Sequence, residues 1–451
     1  MIRARLSLVV VFCLAVCSLA LAQTKPPKVE FTDTTLDNGL RVIIVPDHTA
    51  PVCAISLTYN TGSRNERPGR TGFAHLFEHM MFEGSANVGK GEHMLLVQSY
   101  GGTLNGSTDN DQTNYFEALP KNQLDMALFL ESDRMRALNI TQANLDNQRN
   151  AVQEERRLRV DNQPYGKSGE ELEAMAYDSF PYHHSIIGSM DDLNAASLDD
   201  VKDFFRIYYA PNNVVVVIAG DLDPKETLVK VKKYFGDIPR QPAPPPVDTK
   251  EPEHDKERRK SMTDQLARVP QYDAAYNITP GNTLDTYALQ VLGSVLSSGR
   301  SSRFYQHLVH DRQLAVTAFA GAQGRRGPGL FEVVAVPRPG VKLEDLEKAI
   351  EDEIEAVKKD GVTTQELAKV HTQYLRQALQ SRATDLGLAN RIGTMTVFYN
   401  DPNLINTVYD KISAVTAEQV KQAAQKYLVP AHRSVVVTMP GGRSASRAGG
   451  Q

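Results

Sequence analysis

The chain has 451 residues, more than one hydrophobic core organises, so two or more domains are expected. With 41% hydrophobic and 23% charged residues it has the composition of a folded protein, which excludes disorder, collagen-like structure and coiled coil as its main state. A net charge of −4, from 50 basic and 54 acidic residues, argues against a nucleic-acid binder or a membrane-surface protein.

Residues 1–22 read as a secretory signal peptide. Arg3 and Arg5 precede an apolar stretch over residues 6–19, and Ala20-Leu21-Ala22 offers a small-residue cleavage site. The apolar centre is too short for a comfortable transmembrane helix, and no second apolar run is long enough to span a bilayer. Cleavage removes two positive charges and no negative one, taking the net charge to −6, and leaves Cys53 as the single cysteine. No intramolecular disulfide is then possible, so stability rests on a core or a metal. Export is expected, with the periplasm as destination ahead of full secretion or membrane association.

Residues 40–46 and 52–59 are rich in β-branched residues and read as strands. Residues 71–84 (TGFAHLFEHMMFEG) read as a helix, with Thr71 as its cap and Gly84 as its stop. Helical periodicity recurs over residues 124–135 and 145–160. Residues 197–220 read as a capped helix, a proline stop and a valine-rich strand. A proline- and charge-rich connector follows at 238–260 and divides an N-terminal domain, 23–237, from a C-terminal domain, 261–440. Helices are expected at 284–296, 343–358 and 365–379. The segment from Thr416 then repeats the one from Ser197 at a constant offset: Val201 meets Val420, Lys202 meets Lys421, Tyr208 meets Tyr427 and Pro211 meets Pro430. Two homologous domains are expected, each an α+β unit of antiparallel sheet with helices packed on one face. The composition of residues 441–451 predicts a disordered tail.

The chemistry centres on residues 71–84. His75 and His79 are four apart on one helix face, a spacing two ligands of one metal can use, and Glu78 lies on the same side. This H-x-x-E-H order reverses the H-E-x-x-H motif of other zinc peptidases. Leu76, Phe77, Met80, Met81 and Phe82 make the helix largely buried, and two imidazoles and a carboxylate buried without a partner would be costly. Tetrahedral zinc needs a third protein ligand. In the helix at 145–160, Glu155 shares a stripe with Ala151, Val152 and Leu158, while Glu154 falls with Asn147, Asn150 and Arg157 on the wet face; Glu155 is therefore the expected ligand.

His75-Leu76-Phe77-Glu78-His79, followed 76 positions later by Glu155, resembles the pitrilysin/insulinase family of inverted-motif zinc metallopeptidases. Residues 101–108, 113–115, 181–188 and 301–305 are similar to segments of that family, so the resemblance spans most of the chain. It implies two homologous α/β roll domains forming half of a clam-shaped chamber, with one zinc ion in the N-terminal domain. It further implies peptide-bond hydrolysis with Glu78 as general base, and a substrate strand held by backbone pairing along Thr103, Leu104 and Asn105.

Two departures from the family pattern stand out. A second glutamate seven residues before the third ligand is replaced by Gln148, and Glu154 is on the wrong side to compensate. An arginine and a tyrosine that hold substrate are replaced by Val309 and Val316, in Val309-His310-Asp311-Arg312-Gln313-Leu314-Ala315-Val316. Arg312 is displaced from the arginine position by nearly a helical turn. The expectation is a zinc-bearing endopeptidase subunit paired with a related chain that supplies the arginine and tyrosine, or a homodimer. The competing reading is a non-catalytic peptide-binding or assembly subunit of the same fold. His183 and His184 read as loop residues, the run Arg156-Arg157-Leu158-Arg159 as a solvated face, and Cys53 as a small core residue.

Overall fold

The computed structural model describes residues 25–441. The expected signal peptide, and all of the expected tail except Gly441, lie outside the described residues.

The first sheet is built from β1 (Thr32–Thr35), β2 (Arg41–Pro46), β3 (Val52–Tyr59), β4 (Thr103–Thr108), β5 (Thr113–Pro120) and β6 (Val214–Gly220). Their spatial order is β1-β2-β6-β3-β5-β4, antiparallel throughout except for the parallel pair β2 and β6. Seven helices belong to this half: α1 (Phe73–Met80), α2 (Glu92–Ser99), α3 (Leu124–Arg136), α4 (Gln142–Arg156), α5 (Ser168–Ala176), α6 (Leu198–Tyr208) and α7 (Pro224–Phe235). Shorter turns at Phe180–His183 and Met190–Ala195 link α5 to α6.

The second half contains β7 (Arg258–Asp264), β8 (Gln271–Pro280), α8 (Leu284–Ser297), β9 (Ala315–Gln323), β10 (Pro328–Pro337), α9 (Leu343–Asp360), α10 (Thr364–Ser381), α11 (Asp385–Tyr399), α12 (Leu404–Ser413), α13 (Ala417–Tyr427) and β11 (Arg433–Pro440). Its sheet order is β7-β11-β8-β10-β9, again with one parallel pair, β7 and β11. Dropping β1 makes the two orders correspond strand for strand. The repeat seen in sequence is the pair α6–β6 and α13–β11. Each helix opens on a reciprocal capping box (Ser197 with Asp200, Thr416 with Gln419), and each strand follows a single proline-led turn.

Residues 239–257 carry no helix or strand, and β7 begins at Arg258, inside the stretch expected to be connector. Its pairing to β11 is long-range, so nothing in its local composition (RRKSMTD) marks it as a strand.

Alternation along the strands explains the layering. In the first sheet Val42, Ile44, Ile55, Leu57, Val216 and Ile218 face the half's own helices, while Ile43, Val45, Ala54, Val217 and Ala219 face the other way. That second face is covered by α11 from the C-terminal half, through Leu388, Ala389, Ile392 and Met395. The exchange is reciprocal: Leu172 and Ala176 of α5 pack on Ala275, Leu330 and Val436 of the second sheet. Each half's own helices lie on one face as expected, and the other face is sealed by a helix lent from the opposite half. Gly393 on α11 permits a close approach, since a Cβ there would lie 2.4 Å from Thr58 Oγ1. Among the described residues no helix is long and apolar enough to cross a membrane.

Candidate metal centre

Helix α1 buries Phe73, Ala74, Leu76, Phe77 and Met80 against the first core, where Phe77 lies against Phe204, Phe205 and Tyr209. His75, Glu78 and His79 occupy the remaining face, as the 3.6-residue period requires. Both helix ends are held by long-range contacts. At the N-terminus the buried carboxylate of Glu66 accepts hydrogen bonds from Gly72 N (2.8 Å) and Ala74 N (2.7 Å). Burial pushes the Glu66 pKa well up, against the pull of these N–H donors. Thr71, expected to cap the helix, instead gives both its N–H and its hydroxyl to Asp192. Gly72 is the residue preceding the helix, at φ +85°, where a Cβ would come within 2.6 Å of the Ile187 carbonyl. At the C-terminus Arg134 of α3 reaches the Met81 carbonyl at 3.5 Å. Gly84 sits at φ +94° in the turn beyond, three residues past the helix cap.

The third member comes from α4. His75 Nε2 and His79 Nε2 lie 3.5 and 3.2 Å from the same oxygen, Glu155 Oε2. The two rings are 4.9 Å apart between centroids. Two nitrogens and one oxygen thus converge within 4.8 Å of one another, a donor set suited to zinc. Burial, then the neighbouring His79, lowers the His75 pKa to about 4, so its imidazole is neutral at pH 7 as a metal ligand must be. Of the two adjacent glutamates it is Glu155 that reaches the histidines, while Glu154 is exposed and paired with Arg157. The stripe shared by Glu155 is not a buried face. Val152 is buried, but Ala151 is exposed within α4 itself, and Leu158 is 57% exposed where α4 gives way at Arg156 to a π-turn over Arg157–Asp161. The expected solvated arginine face is also only partly so. Arg156 binds Glu170 and the Gly188 carbonyl, and Arg159 reaches Glu155 Oε1 at 2.8 Å.

Glu78 stays out of this cluster. Its Oε2 accepts a hydrogen bond from Thr108 Oγ1 at 2.7 Å, and burial raises its pKa despite that bond. Gly106 gives it room: a Cβ there would lie 2.9 Å from Glu78 Cγ. Thr108 and Gly106 belong to β4, whose outer edge has no neighbouring strand among the described residues. On the same strand Thr103 and Asn105 are exposed and Leu104 packs on the first core. The Asn105 side-chain oxygen accepts the Gly106 N–H.

Gln148 lies beside the site, its Oε1 at 3.2 Å from His79 Nδ1. Val309 and Val316 belong to the second half. Val309 packs partly on the second core, and Val316 stands 56% exposed on β9, the edge strand corresponding to β4. Arg312 is exposed just past the turn carrying Val309. His183 is exposed, whereas the His184 side chain is tucked in, with Nδ1 3.5 Å from Glu66. Cys53 is buried in β3, and burial pushes its thiol up to about 12. Sequence reading missed Glu66, Thr108 and Arg134, whose partners are distant or unpatterned in the chain. It also missed two other His-carboxylate groups, His93–Glu117–Glu131 and Asp178–Glu251–His254.

Comparison with known proteins shows the family to which the chain is similar. Residues 41–189 match the family described as "Insulinase (Peptidase family M16)", and residues 195–374 match "Peptidase M16 inactive domain". The chain is 34% identical over 352 residues to the "Zinc protease PqqE" of Helicobacter pylori, covering 77% of this chain and 79% of that one. It is 24% identical to the "Probable mitochondrial-processing peptidase subunit beta, mitochondrial" of Arabidopsis thaliana, over 88% of this chain and 76% of that one. The crystal structure of a protease from Helicobacter pylori superimposes with a TM-score of 0.88 at 29% identity, covering 92% of this chain and 100% of that one.

Proposed function

The chain belongs to the insulinase family, peptidase family M16, and we propose that it is a zinc-dependent endopeptidase subunit acting on peptides or unstructured polypeptides. The observation that carries this is the convergence of His75 Nε2, His79 Nε2 and Glu155 Oε2, with the Glu78 carboxylate left outside that set. His75, His79 and Glu155 would hold the ion, one per chain. When bound there, zinc supplies Lewis acidity, polarising a peptide carbonyl and making water a stronger acid.

The protein's own groups do the rest. Glu78 takes the proton of the attacking water and returns it to the departing amine, and its raised pKa brings it nearer the range where both transfers are easy. Thr108 holds one Glu78 oxygen and so aims the other. A substrate strand adds to the open edge of β4 along Thr103, Leu104 and Asn105, with backbone pairing for affinity and side-chain pockets for preference.

Val309 and Val316 offer no side-chain hydrogen bond to a substrate carbonyl. We therefore assign the missing arginine and tyrosine to a related partner chain, in a heterodimer or, failing that, a homodimer. The chain is placed outside the cytoplasm in this reading, in the periplasm first, on the strength of its first 22 residues. The same two valines favour a second reading, a non-catalytic peptide-binding or assembly subunit. Against it stands Glu78, which neither a scaffold nor a metal carrier requires.

The test is to load the purified chain with zinc and offer it an unstructured peptide, alone and with a related chain carrying the arginine and tyrosine. Cleavage is expected only in the mixture, lost on chelation and regained with zinc. Full activity from this chain alone would overturn the two-chain assignment. Stoichiometric zinc with no cleavage in any mixture would favour the non-catalytic reading.

A further inference from the structure

We propose that Glu83 is a positioning residue for the metal centre, acting on His79 through the amide of Gln148. The inference rests on the reading of His79 as a zinc ligand.

Glu83 lies in the turn after α1 and is only 5% exposed. Its Oε1 accepts a hydrogen bond from Gln148 Nε2 at 2.6 Å, and its Oε2 faces Lys90 Nζ, also at 2.6 Å. Gln148 Nε2 donates a second time, to Asn147 Oδ1 at 2.9 Å. With both amide hydrogens directed to oxygens, the Gln148 carbonyl is the group left to face His79 Nδ1, at 3.2 Å. That favours the tautomer a ligand needs. Nδ1 carries the hydrogen, and Nε2, on the side of Glu155 Oε2, is left with its lone pair for the ion the two would share. Without the Glu83 carboxylate, Gln148 could present its amide nitrogen to His79 and stabilise the opposite tautomer, with the lone pair on the wrong nitrogen.

Metal-bound histidines commonly donate their second nitrogen to a carboxylate or carbonyl, which orients the ring and raises its basicity. Here the carboxylate is moved one residue outward and the neutral amide relays its orientation. An acid from the turn after α1 thus acts on a histidine of that helix through a side chain of α4. Lys90 balances the Glu83 charge, so the relay adds no unpaired buried anion.

The test is zinc affinity, measured by competition with a chromophoric chelator, together with the thermal unfolding of the metal-free protein. E83A, which leaves the Gln148 amide no acceptor at that position, is expected to weaken zinc binding about 10- to 100-fold. The double variant E83Q/Q148E exchanges acid and amide. The carboxylate it introduces on α4 can accept from His79 and from the amide that replaces Glu83, so its affinity is expected to stay in the wild-type range. Unchanged affinity in E83A would overturn the proposal, as would failure of the exchange to keep tight binding in a folded protein. Wild-type affinity in the double variant supports it even if E83A alone is less stable. If the wild-type chain binds no zinc, the metal centre itself fails, a result distinct from tight wild-type binding that ignores Glu83.

Discussion

Glu78→Gln is expected to retain zinc and lose peptide cleavage, with kcat falling about 10²- to 10⁴-fold. Glutamine has the same shape, and its carbonyl can still accept from Thr108 Oγ1, which donates to Glu78 Oε2 at 2.7 Å. What the amide lacks is the capacity to take a proton from water and return it to the leaving amine. Glu78 shares the polar stripe of α1 with both histidines but stands outside the cluster they form with Glu155. Zinc content by atomic absorption and single-turnover cleavage in the reconstituted enzyme separate the two roles. Unchanged turnover would place the base elsewhere. Loss of zinc along with activity would show that Glu78 belongs to the ligand set.

Arg134→Met is expected to destabilise the first half by about 3–5 kcal/mol. Arg134 is 2% exposed, and its Nε donates to Glu131 Oε2 at 2.9 Å while its Nη2 meets the other oxygen. Glu131 is fully buried, and Glu117 beside it is 1% exposed and paired with His93. Burial raises the pKa of Glu131 and of Glu117, each to about 7, and the Arg134 charge opposes that rise. Removing the guanidinium leaves two carboxyl groups in a dry core, beside a histidine whose own pKa burial lowers to about 3. The variant also loses the contact to the Met81 carbonyl and the stacking of the guanidinium on Phe82 and Tyr115. Denaturant unfolding measures the loss. A change below about 1 kcal/mol would mean the buried carboxyls find other partners.

Arg134 and Glu66 act on the same element. Glu66 accepts from free N–H groups at the N-terminus of α1 and Arg134 donates to a carbonyl at its C-terminus, so the segment carrying His75, Glu78 and His79 is held at each end. This support was not legible in the sequence. Glu66 precedes the helix by seven positions, with no spacing that announces a cap, and Arg134 approaches from another helix. The three motif residues were legible because their 3-and-4 spacing on an otherwise apolar helix has one geometric meaning. Glu155 stands out from its neighbour through a stripe of which only Val152 is buried. An unbroken 3.6-residue period carries that stripe on through Arg157–Asp161, where the helix in fact changes pitch.

The limits on the fold have the same origin. Strands such as β2, β3 and β6 announce themselves through β-branched runs, whereas which strand lies beside which does not, so the parallel pairs β2–β6 and β7–β11 were not foreseen. The exchange of α5 and α11 between halves was hidden for a related reason. Hydrophobic faces on both sides of β6, buried along its whole length, signal a covered sheet without naming the cover.

The most direct test of the central claim is anomalous diffraction at the zinc edge from crystals of the zinc-loaded chain. A single peak is expected about 2.0–2.2 Å from His75 Nε2, His79 Nε2 and a Glu155 carboxylate oxygen. A peak at the His93–Glu117–Glu131 group instead, or none within bonding distance of His75 and His79, would contradict it.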